Sequence, residues 1–550
     1  KGGEYQPLIS PTNLVFNWSN NGAEPRSFQI GLYGTDGQII QSISKWFRPG
    51  LTYPRVNLSF SPKILPSQCI FSEKGMSIFL ADQNNIYALL GLLVSSWSDV
   101  LLKAFGRHRA YENRAVANLP YGLNLLYLTE NLIGPLTKEA VRSMLLLEQY
   151  CELSPYFLRP LISSDDISFL DITEEKILKN IDEIDNCVQV ALNINKDQFK
   201  ELATTSFLMK KHVFRTRSQS ELKIDLFMWI IGCLLGRWDI RHAFNQISTS
   251  DLSDPFAPLP AYPPGMLHDV QDFPAASQNM PSYYPLRISW SGILVDDEGH
   301  FEDIEGRIRN VLHIIWGERV ETIEDETCQI LGVHTIREYY NKPALFFADH
   351  LKRYSKSRRA APIYWPLSTP SCSYTLWLYY HRLNDQTLYT CVNDFVDVKL
   401  KQVSEEAARL RLKKGRSAAD EKELERLTDF ERELKDFREE LLRVAKFWKP
   451  NLNDGVEITA APLWKLFQHK PWQKRLRETW SKLESGEYDW AHLAYSIWPE
   501  RVREKCKTDK SIAIAHDLEE LYVEPPASVK KKKAKKPAID EETEGWFNDD

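Results

Sequence analysis

The 550-residue chain contains no Cys-x-x-Cys pair, no Gly-x-Gly, no Gly-x-Ser-x-Gly and no His-Glu-x-x-His. Each absence closes a class of function. Eight cysteines scattered singly argue against a disulfide framework or a structural zinc site and point to a reducing compartment, the cytoplasm. Without Gly-x-Gly there is no dinucleotide or phosphate loop of the usual form. Without the last two motifs there is no nucleophile elbow and no zincin helix. Long apolar runs are missing as well. The longest, Leu226 to Leu235, is bounded by Asp225 and, past Gly236, by Arg237; it is too short to cross a bilayer, so no membrane contact is expected.

What is present is a 43% hydrophobic composition, enough core for roughly three or four domains. The chain opens on Lys1 with KGGEY and no methionine, which reads as the downstream piece of something longer. Net charge is −6, yet residues 1–120 carry eleven Lys/Arg against seven Asp/Glu, and residues 465–510 repeat that ratio. Basic character confined to regions suits particular faces that meet a polyanion.

The most distinctive stretch is Arg358 to Tyr389, where twin arginines lead into aromatics alternating with small hydroxyl residues. Arg358 and Arg359 can fork onto phosphate oxygens, and Tyr364, Trp365, Tyr374, Trp377, Tyr379 and Tyr380 offer flat faces for stacking. The plainer alternative is a buried aromatic strand pair, and chemistry alone favours it. The wording APIYW, TPSCSY and LWLYYHRL in this stretch resembles the PglX (BrxX) adenine-specific DNA methyltransferases of bacteriophage-exclusion (BREX) systems. GCLLGRWDIRHAF, DPFAPLPAYPPGML, GILVDDEGH and PWQKRLRETWSKLESGEYDWAHLA extend the resemblance to about Tyr522. The adenine methylase of DISARM systems is similar in the same region. Cys372 stands where the family wording has glycine, a residue that tolerates positive φ.

The resemblance implies N6-adenine methylation of host DNA as self, with S-adenosylmethionine as cofactor, double-stranded DNA as substrate and other phage-defence proteins as partners. Such chemistry needs a glycine-rich turn for the cofactor and an Asn/Asp-Pro-Pro-aromatic loop for the flipped base. Here the two Pro-Pro pairs follow Tyr262 and Glu524 and precede Gly265 and Ala527, so neither can serve. The resemblance therefore puts catalysis and cofactor upstream and leaves this chain as the recognition and C-terminal half. The alternative is a non-catalytic DNA-binding or assembly module of a phage-defence complex.

The fold class expected is α+β multidomain: a mixed strand and helix target-recognition domain, then largely helical domains with a β-containing aromatic segment. The divisions fall at 1–135 (recognition), 136–250 (helical spacer), 251–289 (proline-rich linker or belt), 290–400 (α+β), 401–448 (helical hairpin or coiled coil), 449–523 (tryptophan-rich, helical) and 524–550 (charged disordered tail holding six lysines between Lys530 and Lys536). Within 1–135, Arg48 and Arg55 flank a Pro-Gly turn with Thr52 and Tyr53 between them, which suits forked contacts to guanine edges or phosphates. Cys69 to Ala81 reads as two strands joined at Lys74-Gly75, and Tyr87 to Phe105 as one leucine-faced helix. That order resembles the recognition domains of single-chain restriction-modification enzymes.

Arg107, Arg109 and Arg114 follow the helix as a phosphate clamp, with plain solvent exposure as the alternative. His108 carries no catalytic reading. Ile177, Ile181, Ile184 and Val188 mark one helical face, with Thr173 near its cap. Arg237 and Arg241 flank Trp238 and Asp239 as a DNA-facing ledge, unless Asp239 pairs with one of them. The acids Asp296 to Gly306 read as a solvated loop and first helical turn, a better fit than a metal site. Leu427, Phe430, Leu434, Phe437, Leu441, Val444 and Trp448 form a heptad seam expected to pair with the helix near 403–412 of the same chain. Exposed Glu431–Lys435 and Glu439–Arg443 pairs are expected beside it. Trp464, Trp472, Trp480, Trp490 and Trp498 are expected to fill a small core.

Overall fold

The computed structural model describes residues 5–9, 12, 14–37, 40–72, 74–105, 110–121, 131–193, 195, 197, 218–244, 254–268, 276, 280–281, 283–356 and 359–524. The chain forms two compact units, Lys1–Leu14 with Ser44–Ser481, and Val15–Ile43 with Lys482–Asp550. The class is α+β: helices predominate, and the named strands pair antiparallel in small sheets.

In the first unit, β1 (Gly50–Pro54) lies between β2 (Lys63–Leu65) and β3 (Gly75–Ile78). Leu51 and Tyr53 turn inward at the two-residue strand period and join Phe60, Ile64, Leu90 and Leu93 in one core. This corrects two expectations. The stretch between Arg48 and Arg55 is a strand rather than a turn. Among the described residues of Cys69 to Ala81 the strand is Gly75–Ile78, and its partner is β1.

The expected single helix of 87–105 is two, α1 (Ile86–Val94) and α2 (Ser96–Phe105), bent by 67° at the break. Serine hydroxyls explain it. Ser95 and Ser98 both donate to Leu92 O at 2.6 Å, diverting the carbonyl from the helix ladder, while Asp185 accepts from the Ser96 amide (2.8 Å) and hydroxyl (2.7 Å). Asp185 lies on α4 (Ser164–Ala191), which packs against α3 (Ile133–Glu148) with Ile177, Ile181, Ile184 and Val188 all buried, as expected. The start of α4 corrects the Thr173 expectation: Ser163 and Asp166 form a capping box, and Thr173 lies inside, donating to Phe169 O at 2.7 Å.

The apolar helix α5 spans Gln219–Leu234, opened by a Ser218/Glu221 capping box and closed by Gly236 at φ 71°. The described part of the proline-rich stretch lies on protein. Gly265 donates to Phe157 O at 2.8 Å, and a Cβ there would stand 2.0 Å from Leu158 O, so only glycine permits the approach.

The sheet β4–β8–β7 (Ile293–Asp296, Thr375–Tyr379, Tyr364–Ser368) is buried at every position. All six aromatics of the distinctive stretch lie in the core, so the buried strand pair is the correct reading and stacking on bases is not. In the β7–β8 turn Cys372 has φ 59° and donates its amide to Thr369 O at 2.9 Å, which explains the family's glycine.

The acids following β4 are a correction too, because Asp296, Asp297, Glu302 and Asp303 are buried. Arg337 pairs with Asp296, Asp303 (2.9 Å) and Glu305 (3.1 Å), Lys399 with Asp297 (2.5 Å), and Arg287 with Glu302 (2.8 Å). Asp303 also caps α6 (Ile304–Trp316) by accepting from Gly306 N.

The seam pairs within the chain: α7 (Asp397–Leu412) packs on α8 (Ala418–Ala445), burying Val403 and Ala407 with Leu427, Leu434, Phe437, Leu441 and Val444. Glu431 pairs with Lys435 at 2.7 Å as expected, but Arg443 takes Glu440, one residue nearer than the expected Glu439. Of the five tryptophans assigned to one core only Trp472 is fully buried, Trp490 is exposed, and Trp490 and Trp498 belong to the second unit. In that unit Ser19–Tyr33 packs on Lys510–Ala515, and buried Asp489 pairs with Arg501 (2.7 Å) and Lys505 (3.2 Å). Among the described residues no single helix is long and apolar enough to cross a membrane.

Candidate nucleic-acid interface

Strand β1 carries candidate side chains at both ends. At the Pro54 end, Arg55 donates its amide to Lys74 O (3.0 Å) and accepts from Tyr111 N (2.7 Å), and Val56 bridges Ala110. Three segments distant in sequence thus meet, bringing Arg55 and Lys74 beside the short helix Asn113–Ala117, which holds Arg114. Arg55 donates through Nε (3.1 Å) and Nη2 (2.9 Å) to Glu112 Oε1, with the two side chains 42% and 51% exposed. A pair so wet contributes about 0–1 kcal/mol, so a phosphate can displace Glu112 at little cost. Lys74 and Arg114 are exposed and meet no carboxylate among the described residues.

Two neighbours on the strand have other work. Tyr53 is 1% exposed, packs on Phe60 at 5.1 Å between ring centroids and donates its hydroxyl to Asn113 Oδ1 at 2.8 Å. Burial, with Glu112 nearby, pushes its phenol well above the usual range. It is a core residue, which corrects its assignment as a contact. Thr52 is half-buried and gives its hydroxyl to Met76 O at 2.9 Å, linking β1 to β3.

At the Gly50 end, exposed Arg48 lays its guanidinium over Phe79 at 5.8 Å. It adjoins Pro49 at the rim of a cleft of about 970 Å³ whose walls include Tyr87, Phe256, Lys138, Arg142 and Asp254. Lys138 and Arg142 stand one turn apart on α3, exposed and without a carboxylate partner among the described residues. Sequence reasoning missed both, although KEAVR shows the i, i+4 spacing. The five residues of the strand set its two ends roughly 13 Å apart at 3.3 Å per rise, so Arg48 and Arg55 stand at separate places.

The ledge around Trp238 is a correction. Arg237 stacks on Trp238 at 4.2 Å and donates to Tyr354 Oη (2.6 Å) and Glu152 Oε1 (3.2 Å), with the two charged side chains 12% and 3% exposed. It holds the fold together rather than facing a ligand. Arg241 grips buried Asp239 through Nη2 (2.6 Å) and Nε (3.0 Å), so the pairing reading holds there. Sequence displays the density of charge but not Glu152, which lies 85 residues from Arg237. Beneath this ledge buried His350 accepts from the Ile363 (2.9 Å) and Tyr364 (3.1 Å) amides through Nε2. Burial first, then the Arg237 charge, holds it well below the ordinary histidine range, hence neutral. Arg359 is exposed on the ribbon of β5 (Ser355–Lys356) and β6 (Arg359–Ala360). Arg107, Arg109, Arg358 and the lysine tail lie outside the described residues.

The fit to S-adenosylmethionine is poor. A cofactor crevice of the doubly wound kind opens at the carboxyl ends of parallel strands, whereas the named strands here pair antiparallel. The strand-turn-helix at β4–α6 has its acids engaged with Arg337, Lys399 and Arg287.

The fold and this surface define an α+β multidomain protein that presents, around a small sheet, exposed cations without a carboxylate partner among the described residues. No family model matches the chain. Among curated proteins it is similar to the adenine-specific methyltransferase BrxX of Escherichia coli O9:H4 (strain HS), with 22% identity over 440 residues. The match covers 72% of this chain and 33% of that protein. The similarity agrees with the family resemblance read in the sequence, and the chain spans about a third of the length of its relative.

Proposed function

We propose that this chain is the DNA-recognition and C-terminal part of a site-specific N6-adenine DNA methyltransferase of an anti-phage defence system, marking host DNA as self. The observation that carries the reading is the match to BrxX along 72% of the chain. In support, Arg48, Lys74, Arg114, Lys138 and Arg142 are exposed cations without carboxylate partners among the described residues, disposed around β1 and the cleft. Methyl transfer and S-adenosylmethionine binding belong to residues outside this chain, since neither the sequence motifs nor the antiparallel sheets suit them. The ion-paired state of Arg237 and Arg241 favours a second reading in which much of the chain is an assembly scaffold for other defence proteins.

Fluorescence anisotropy of a labelled duplex titrated with this chain separates the two. Recognition predicts binding that weakens with salt at about 0.9 decade per decade for each phosphate neutralised. Absence of duplex binding at 50 mM salt and tens of micromolar protein would leave the scaffold reading in place.

A further inference from the structure

The cleft beside Arg48 holds more than its two cations. Four segments build it: Pro49 ahead of β1, Tyr87 at the start of α1, Lys138 and Arg142 on α3, and Asp254 with Phe256 from the proline-rich stretch. The last wall is pinned in place. The Phe256 carbonyl accepts from Ser67 N at 2.9 Å, its amide donates to Asp254 Oδ1 at 3.1 Å, and Ala257 N donates to Asp254 O at 3.0 Å. Phe256 meets Tyr87 edge to face, with ring centroids 5.5 Å apart and planes at 79°. A fixed aromatic wall therefore shares one cleft with two cations that stand one turn apart.

Its polar groups are uncommitted. Among the described residues the Tyr87 hydroxyl and the second carboxylate oxygen of Asp254 have no hydrogen-bond partner. Burial, then the Asp254 charge, push the Tyr87 phenol up to about 12, so it keeps its proton. Glu139, the other acid of the cleft, is taken by Lys176. Apolar rings with a few converging polar groups are the usual lining of small-molecule sites, and 970 Å³ reaches the upper end of their range of about 300–1,000 Å³.

We propose that this cleft binds a nucleotide whose base carries an amino group, with the phosphate held by Lys138 and Arg142 and the base set against Tyr87 and Phe256. Phosphate oxygens accept from an ammonium and a guanidinium fork together. An aromatic wall takes the flat face of a base. Asp254 can only accept, which suits an exocyclic amino group, and the Tyr87 hydroxyl can donate to a ring nitrogen; adenine and cytosine offer both. A free nucleotide and an unpaired nucleotide of a DNA strand share this chemistry. That it comes from a strand rests on the function proposed above.

Titration calorimetry of the full chain with AMP, UMP and inorganic phosphate is the test. AMP should bind about tenfold or more tighter than phosphate through its stacked base, and about fivefold tighter than UMP through Asp254. Lys138→Ala with Arg142→Ala, both at exposed positions, should weaken AMP about tenfold. Asp254→Asn should erase the preference over UMP. AMP that displaces a duplex with one unpaired adenine, and not the fully paired duplex, would assign the nucleotide to a strand. AMP that binds as expected but displaces neither would uphold the site for free nucleotide and remove the strand as its source. AMP that binds no tighter than phosphate, or equally to wild type and the double variant, would overturn the site; salt-dependent binding of the paired duplex would then still leave the proposed function standing.

Discussion

Replacing Arg237 by methionine puts a number on the buried ledge. The stem volume is kept, but Glu152, 3% exposed, loses the guanidinium at 3.2 Å and, among the described residues, keeps the Tyr354 hydroxyl at 2.9 Å and Arg353 at 3.6 Å. Removing one partner of a buried pair costs about 3–5 kcal/mol. Because Arg353 stays behind, the expected loss lies near the lower limit, about 3 kcal/mol. With a urea slope of about 2–3 kcal/mol per molar, the unfolding midpoint should fall by roughly 1 M or more. Tryptophan fluorescence reads it, since Trp238 is the residue Arg237 covers at 4.2 Å. Glu152→Gln alone should also destabilise, and the double variant should lose less than the sum by about 1–3 kcal/mol. Duplex affinity should not change beyond what lost stability explains. An Arg237→Met protein that melts within about 1 kcal/mol of wild type yet binds duplex more weakly would refute the reasoning and restore Arg237 to the interface.

In the DNA-binding assay, Arg48→Ala should relax sequence preference, a lost bidentate base contact being worth about 1–3 kcal/mol at one position; Lys138→Ala with Arg142→Ala should instead weaken all sequences alike and lower the salt slope by about 1–2. If all three changes leave affinity, preference and slope untouched, the cleft is not part of the interface. His350 is held neutral in the fold, so the unfolded chain takes its proton first as pH falls below about 6.5; stability should drop by about 1.4 kcal/mol per pH unit there, and urea midpoints between pH 7.5 and 5 should fall less steeply in His350→Asn. Leu434→Asp places a charge at a fully buried seam position and should cost at least about 3 kcal/mol with the mass by light scattering unchanged; a dimer dissociating to a stable monomer would contradict the intramolecular hairpin. Cys372→Gly should be neutral or stabilising by up to about 1 kcal/mol, because φ 59° strains any side chain there; a clear loss of melting temperature would mean the thiol packs favourably.

Periodic features were legible in the sequence. The isoleucine face of α4 and the seam of α8 each repeat at a period set by backbone geometry, and each is buried along that face; the aromatic hairpin was legible instead as a dense apolar stretch, buried on both faces. Interactions between distant segments were not. SSWS shows three serines but not Asp185, which helps turn them into a helix break. DDEGHFEDIEG reads as a wet acidic loop until Arg337 and Lys399 arrive from 34 to 102 residues away. The same blindness affected the candidate site: Arg237 and Arg48 are equivalent as letters, and only the presence of Glu152 beside one of them decides which is available.

The grip of Asp185 on Ser96 bears on how specificity could be transplanted. The carboxylate holds the first amide of α2 from the far end of a 28-residue helix, about 42 Å long. The segment that carries Ala110 to Arg114 follows α2 directly. An exchange between relatives that stopped before α3 would leave the Ser96 amide and hydroxyl without their acceptor and expose the isoleucine stripe of α4. The portable cassette is therefore the stretch through Ala191, with helix and sheet inherited together; chimeras joined there should retain a cooperative melt and, on the proposed function, the donor's sequence preference.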